Sequence, residues 1–265
     1  MNKLSFLARS GNLISLTIAG QGKPLVLLHG FPLDHRQWSE QLTGLADRYR
    51  VIAVDLRGFG QSTLTEQAYT MADLADDVEQ VRRHLADGQQ LAMCGLSMGG
   101  YVAFEYWQRY PQNLFALVLS NTKPEADDEQ ARANRQAMIE QAQHAGSWAA
   151  VSGLLAKQLT KTHVQERGEV YGRVEQMMKS ASADAVCSAL RAMSDRSDFT
   201  AALPSLATPT LVITGEEDPI APPTATRKWA AVLPQGQYHV VAGSAHLTPL
   251  EQPEAFNSLV REFLA

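Results

Sequence analysis

Dense apolar runs recur along the chain, and the longer stretches between them repeat their apolar positions every three to four residues. The runs Leu4–Leu7, Leu13–Ile18, Leu25–Leu28, Val51–Val54, Leu91–Cys94, Leu117–Leu119, Leu211–Thr214 and Tyr238–Val241 read as strands. From the third onward nearly every position is apolar, which is the pattern of a parallel strand covered on both faces. The first two mix polar with apolar residues and are expected to form an antiparallel edge. Between the runs, Met71–Leu85 sets Met71, Leu74, Ala75, Val78, Val81 and Leu85 along one helical stripe. Met98–Arg109, Pro223–Val232 and Pro253–Leu264 read as helices in the same way. Strands alternating with helices predict an α/β fold built on a mostly parallel sheet.

One stretch breaks the alternation. All 12 prolines lie at or before Pro124 or at or after Pro204. The residues between are rich in Ala, Gln, Glu, Arg and Met, a helix-forming composition. Breaks near Gly146, His163–Gly168 and Ser180–Ala183 divide the stretch into about four helices. The expected organisation is therefore a core made of residues 1–122 and 203–265, with a helical cap, residues 123–202, inserted into it.

Composition narrows the function classes. At 265 residues, with 45% apolar and 19% charged positions, the chain can bury a full core. Its 23 basic and 28 acidic residues leave a net charge of −5 and form no basic block. Nucleic acid and anionic membrane surfaces are thus not expected partners. Cys94 and Cys187 cannot by themselves make a disulfide framework or a zinc cluster. The start, MNKLSFLARSGN, has no apolar core of a signal peptide, and no run approaches the roughly 18 apolar residues of a membrane helix. A cytoplasmic location is the expectation.

The sharpest chemical signal is Gly95-Leu96-Ser97-Met98-Gly99, lying between an apolar strand and a periodic helix. This is the setting in which G-x-S-x-G exposes a serine at a tight strand-to-helix turn, beside the free N–H groups of a helix N-terminus. A serine hydroxyl needs a base. Of seven histidines, His246 stands in a loop just past the last strand, where catalytic groups collect in such sheets. His84 falls on a helix face, His144 and His163 fall in the cap, and His239 sits inside a strand, where burial is expected. A histidine base needs an orienting carboxylate. Asp218, in Gly215-Glu216-Glu217-Asp218-Pro219 after the seventh run, is the first candidate. Glu216 and Glu217 are rivals by position, with Asp195 and Asp198 weaker ones. Oxyanion donors are expected from the backbone N–H of Met98 and from that of Phe31, in the turn His29-Gly30-Phe31-Pro32. His29 is expected to tie loops together rather than to act as a base. Gly58-Phe59-Gly60-Gln61-Ser62-Thr63 lacks the third glycine of a dinucleotide fingerprint. No cofactor or metal is expected.

These motifs, with Asp55-Leu56-Arg57-Gly58-Phe59-Gly60-Gln61-Ser62 and Gly243-Ser244-Ala245-His246, occur in the order found in the α/β-hydrolase fold family, which the sequence resembles. The resemblance implies a twisted, mostly parallel eight-stranded sheet flanked by helices, with a helical cap over the active site. Within the family the chain looks most like bacterial carboxylesterases and 3-oxoadipate enol-lactonases, on Thr208–Gly215 and His246–Glu254. Ser97 argues against the haloalkane dehalogenases and epoxide hydrolases, whose nucleophile is an aspartate.

The expected activity is hydrolysis of a small or medium ester or lactone through an acyl-enzyme on Ser97, with His246 as base and Asp218 orienting it. Trp148, Leu154, Leu155, Met177, Met178 and Met193 are candidates for an apolar pocket wall. Two other readings use the same residues. One is a receptor or signalling partner that keeps the triad but hydrolyses slowly or once. The other is a carbon–carbon bond hydrolase. The sequence does not give the oligomeric state.

Overall fold

The structure, a computed structural model, describes residues 1–65, 68–85 and 88–265. The chain opens with β1 (Asn2–Leu7) and β2 (Leu13–Ala19), an antiparallel pair, followed by β3 (Lys23–Leu28). A single 3₁₀ turn, His35–Trp38, leads into α1 (Ser39–Gly44) and then β4 (Tyr49–Val54). Two α/β units follow: α2 (Met71–Leu85) with β5 (Leu91–Leu96), and α3 (Met98–Arg109) with β6 (Leu114–Ser120). Between β6 and the next strand lie only helices: α4 (Glu129–Ala145), α5 (Ser147–Val151), α6 (Leu155–Gln158), α7 (Lys161–Glu166), α8 (Glu169–Ser180) and α9 (Ala183–Ser194), with short 3₁₀ turns. The chain then completes the sheet with β7 (Thr210–Gly215), α10 (Pro223–Ala230) and β8 (Gly236–Val241), and ends in α11 (Thr248–Glu251) and α12 (Pro253–Phe263).

The eight strands form one sheet in the order β1-β2-β4-β3-β5-β6-β7-β8. β2 pairs antiparallel with β1 and β4, and every pairing from β4 through β8 is parallel. The expected eight-stranded, mostly parallel sheet with an antiparallel edge is therefore what forms. β3, β5, β6 and β7 are buried along almost their whole length, in keeping with their apolar runs. β8 departs from that pattern. As the last strand it has a neighbour on one side only, and Gln237, His239 and Val240 are exposed. His239, expected to be buried, faces solvent for that reason.

The helical stripe of α2 buries Met71, Leu74, Ala75, Val78 and Val81. Its other buried face carries charge. Glu79 accepts hydrogen bonds from Arg82 (2.8 Å), Arg83 (2.7 Å), the Tyr106 hydroxyl of α3 (2.8 Å) and Asn113 (3.1 Å). Burial pushes the Glu79 carboxyl up, but these donors outweigh it and hold the pKa down at about 2. The α4–α9 segment contains more helices than its breaks suggested. The gaps at Ser152–Leu154 and at Leu159–Thr160 involve neither proline nor a run of glycines, so composition did not announce them.

Register explains where a site can form. Leu28 lies opposite Gly95, Leu96 opposite Ser120, Ser120 opposite Ile213 and Gly215 opposite Val241. The carboxyl ends of five strands thus come level, and the loops that follow them share one edge. The chain runs from β3 outward to β4 and then returns to β5 on the other side of β3. That reversal is the switch point at which such sheets open a crevice.

Candidate active site

Ser97 sits where β5 passes into α3, at φ +54° and ψ −113°. A non-glycine residue holds such a backbone only where its surroundings over-determine it. Here they do. Ser97 N–H donates to the Ser120 carbonyl (3.0 Å), and the Ser97 carbonyl accepts from Gly100 N–H (2.9 Å) and the Thr122 hydroxyl (2.9 Å). The turn also needs its glycines. A Cβ on Gly95 would collide with the Gly99 carbonyl, and one on Gly99 with the Leu28 carbonyl. Any side chain at either position would force α3 away from β5 or β3.

The turn after β3 lies against this serine. A Cβ on Gly30 would stand 3.5 Å from the Ser97 Cβ. The Gly30 carbonyl accepts from His29 Nδ1 (2.9 Å) and from Leu33 N–H (2.9 Å). That carbonyl and the Phe31 N–H belong to one peptide plane and point in opposite directions. Fixing the carbonyl therefore fixes the direction of the N–H. His29 Nε2 accepts from Leu56 N–H (3.0 Å), which assigns the ring proton to Nδ1. The ring is fully buried, and burial lowers its pKa. A neutral imidazole with both nitrogens engaged ties β3 to the loop after β4, as expected. Met98 N–H is the first of α3 and has no acceptor within the helix.

Asp218 and His246 meet beyond β7 and β8. His246 Nδ1 lies 2.9 Å and 3.1 Å from the two carboxylate oxygens of Asp218, and both residues are buried. Asp218 also accepts from Asn121 Nδ2 (2.9 Å), Ile220 N–H (2.8 Å) and Ala221 N–H (3.1 Å). Burial alone would raise the Asp218 pKa; the neighbouring His246 ring and these hydrogen bonds overcome it and hold the pKa at about 2. An acceptor-only carboxylate on Nδ1 leaves His246 Nε2 as the basic nitrogen. The rivals separate by position: Glu216, Glu217, Asp195 and Asp198 are all exposed. Among the hydrogen bonds of the described residues none joins Ser97 Oγ to His246 Nε2. Contacts between a nucleophile and its base are often long and tighten only in the complex.

Two residues at the end of β6 connect the pieces, and sequence reasoning missed both. Asn121, itself at φ +49°, donates to Asp218 and to the Ala245 carbonyl (3.0 Å), while Thr122 donates to the Ser97 carbonyl. A polar Asn-Thr pair closing the apolar run Leu114–Ser120 was the available signal.

Of the residues considered for an apolar wall, Leu155, Met177, Met178 and Met193 are buried, and Trp148 and Leu154 are half-buried. A cavity of about 420 Å³ lies elsewhere, between β1 and α8, and is lined by Lys3, His35, Arg36, Leu42, Arg173 and Met177. Asp34, His35 and Asp55 bring metal-type ligand atoms within 4.8 Å of one another. Their hydrogen bonds are already committed, Asp34 to Arg36 and Asp55 to His35 and Gln61 N–H. Among the described residues no helix is long and apolar enough to cross a membrane.

The sequence profile of the α/β-hydrolase fold family matches residues 23–253. A solved thermophilic esterase from Thermogutta terrifontis superposes with a TM-score of 0.94 at 35% identity, covering 100% of this chain and 98% of that one. The 3-oxoadipate enol-lactonase 1 of Acinetobacter baylyi is 26% identical, over 97% of this chain and 94% of its own. The non-heme chloroperoxidase CPO-A1 of Kitasatospora aureofaciens is 28% identical, over 92% and 93%. On its sheet topology and on this match across most of its length, the chain belongs to the α/β-hydrolase fold family.

Proposed function

We propose that the protein hydrolyses a small or medium carboxylic ester or lactone through an acyl-enzyme on Ser97. Its core would comprise residues 1–122 and 203–265, and residues 123–202 would cap the site. The observation that carries the reading is the buried Asp218–His246 pair on the same sheet edge as a serine held at positive φ. The esterase and enol-lactonase among the similar proteins support the substrate class.

The proposed chemistry uses Ser97, His246 and Asp218. Ser97 Oγ attacks the carbonyl carbon as His246 Nε2 removes its proton. The imidazolium that results keeps its Nδ1 proton against Asp218, which stays ionised. Negative charge collects on the former carbonyl oxygen, facing the N–H groups of Phe31 and Met98. Collapse expels the alkoxide, which takes the proton from Nε2. Water, deprotonated by the same nitrogen, then attacks the acyl carbon, and the acid leaves as Ser97 Oγ takes the proton back from Nε2. A lactone gives one product, because alcohol and acid remain joined.

Short p-nitrophenyl esters and small lactones, offered to the wild type and to Ser97→Ala, test this reading. It expects many turnovers per protein in the wild type and almost none in the variant. Near-wild-type hydrolysis by Ser97→Ala would contradict it. A single stoichiometric release that then stalls would point instead to a receptor.

A further inference from the structure

The helical segment touches the candidate site through a few buried polar groups that the mechanism above does not use. Gln158, at the end of α6, is 3% exposed. Its Nε2 donates to the Phe31 carbonyl (2.9 Å), and its own backbone carbonyl accepts from both His246 N–H and Leu247 N–H (3.1 Å each). One residue thus holds the residue that supplies an oxyanion donor and the residue that supplies the base. Two positions on, a second tie runs the other way. Glu251 of α11, with a fully buried side chain, accepts from Thr160 N–H (2.7 Å) and His163 Nδ1 (3.0 Å) through one oxygen, and from Ala245 N–H (2.7 Å) through the other.

We propose that Gln158 and Glu251 are positioning residues that make assembly of the catalytic geometry depend on how the cap is seated. The proposal rests on the serine-hydrolase reading above. Each bond acts on a backbone group immediately beside a reacting one. Gln158 grips Phe31 on the carbonyl side while Gln37 Oε1 grips Gly30 N–H (2.9 Å), so the peptide carrying the Phe31 N–H is fixed from both ends. Ala245, held by Glu251 and by Asn121, precedes His246, which Gln158 holds at its own N–H. If the 158–160 stretch shifts, the oxyanion turn and the histidine loop lose their common support together. The groups facing this link are buried or half-buried, so water cannot readily replace the lost partners. Displacements near 1 Å at a catalytic group cost up to about 100-fold in rate.

Gln158→Leu and Glu251→Gln retain side-chain volume and remove the donor or one carboxylate oxygen. Asp128→Ala serves as the comparison, because it removes the α4 N-cap bond to Ala131 N–H (2.7 Å) and weakens the same segment without touching the link. All three are assayed with a short p-nitrophenyl ester beside Ser97→Ala, and each is also followed by thermal unfolding. We expect kcat to fall about tenfold or more in Gln158→Leu and Glu251→Gln, with KM within about threefold, and kcat to stay at the wild-type level in Asp128→Ala. Two results would overturn the proposal while leaving Ser97 as nucleophile. One is kcat within twofold of wild type in both link variants. The other is a loss of kcat in Asp128→Ala that scales with destabilisation as it does in the link variants. Activity in Ser97→Ala would remove the reading beneath it.

Discussion

Asn121 shows how much of this site depends on single side chains outside the proposed triad. Its amide nitrogen bridges the Asp218 carboxylate and the Ala245 carbonyl, and so links Asp218 to the loop that carries His246. Asn121→Ala removes a hydrogen bond to a charged group, which is worth about 1.5–3 kcal/mol. We expect kcat for a chromogenic ester to fall about tenfold or more with KM little changed; unchanged kcat would show that Asp218 holds its place without it. The bonds that Asn121 and Glu251 make were not legible beforehand, for one physical reason. Their partners lie far away in the chain, at Asp218 and Thr160, and no local period or motif encodes such a contact. The turns that carry Ser97 and His246 were legible because they make local demands, namely small residues where backbones crowd and a polar turn after an apolar strand.

Among elements, the junction of β5 with α3 is tightly constrained, since Gly95 and Gly99 leave no room for a methyl group. Gly99→Ala should cost about 3 kcal/mol of stability, from overpacking against the Leu28 carbonyl, read as a lower urea midpoint. A midpoint equal to wild type would mean that α3 can move outward freely. The α2–α3 contact depends on Glu79 instead. Removing it in Glu79→Ala strands Arg82 in a buried position, for about 3 kcal/mol. Elements with strong periodicity were legible almost to their ends: α2 and α3 span the residues their stripes predicted. α1 was not, because SEQLTG offers one apolar leucine in six residues and is helical through contacts with α12 and α11. β8 was legible as a strand but not as an edge, since a run of residues does not say which neighbour it lacks.

For the whole molecule, the buried carboxylates set the response to acid. Asp218 and Glu79 both have pKa values held at about 2, below the ordinary carboxylate value near 4. Their contribution to stability is complete above the unfolded value and is lost as pH falls through about 4 toward 2. Urea midpoints should therefore drop steeply below about pH 4, after a gentler decline below the ordinary histidine value near 6.5, because the buried His29 ring resists the proton that the unfolded chain takes up. A midpoint that rises on acidification would contradict that assignment. The parallel sheet brings five loop-bearing strand ends level, and the proposed chemistry uses four of those loops, with Asn121 and Thr122 in the fifth. That chemistry has a direct signature. Rapid acid quenching of the protein with a short p-nitrophenyl ester, followed by peptide mass analysis, should place one acyl group on the peptide containing Ser97 and none in Ser97→Ala. Sustained turnover with no acyl group on that peptide, and with full activity in Ser97→Ala, would show that the serine at the β5–α3 turn is not the nucleophile.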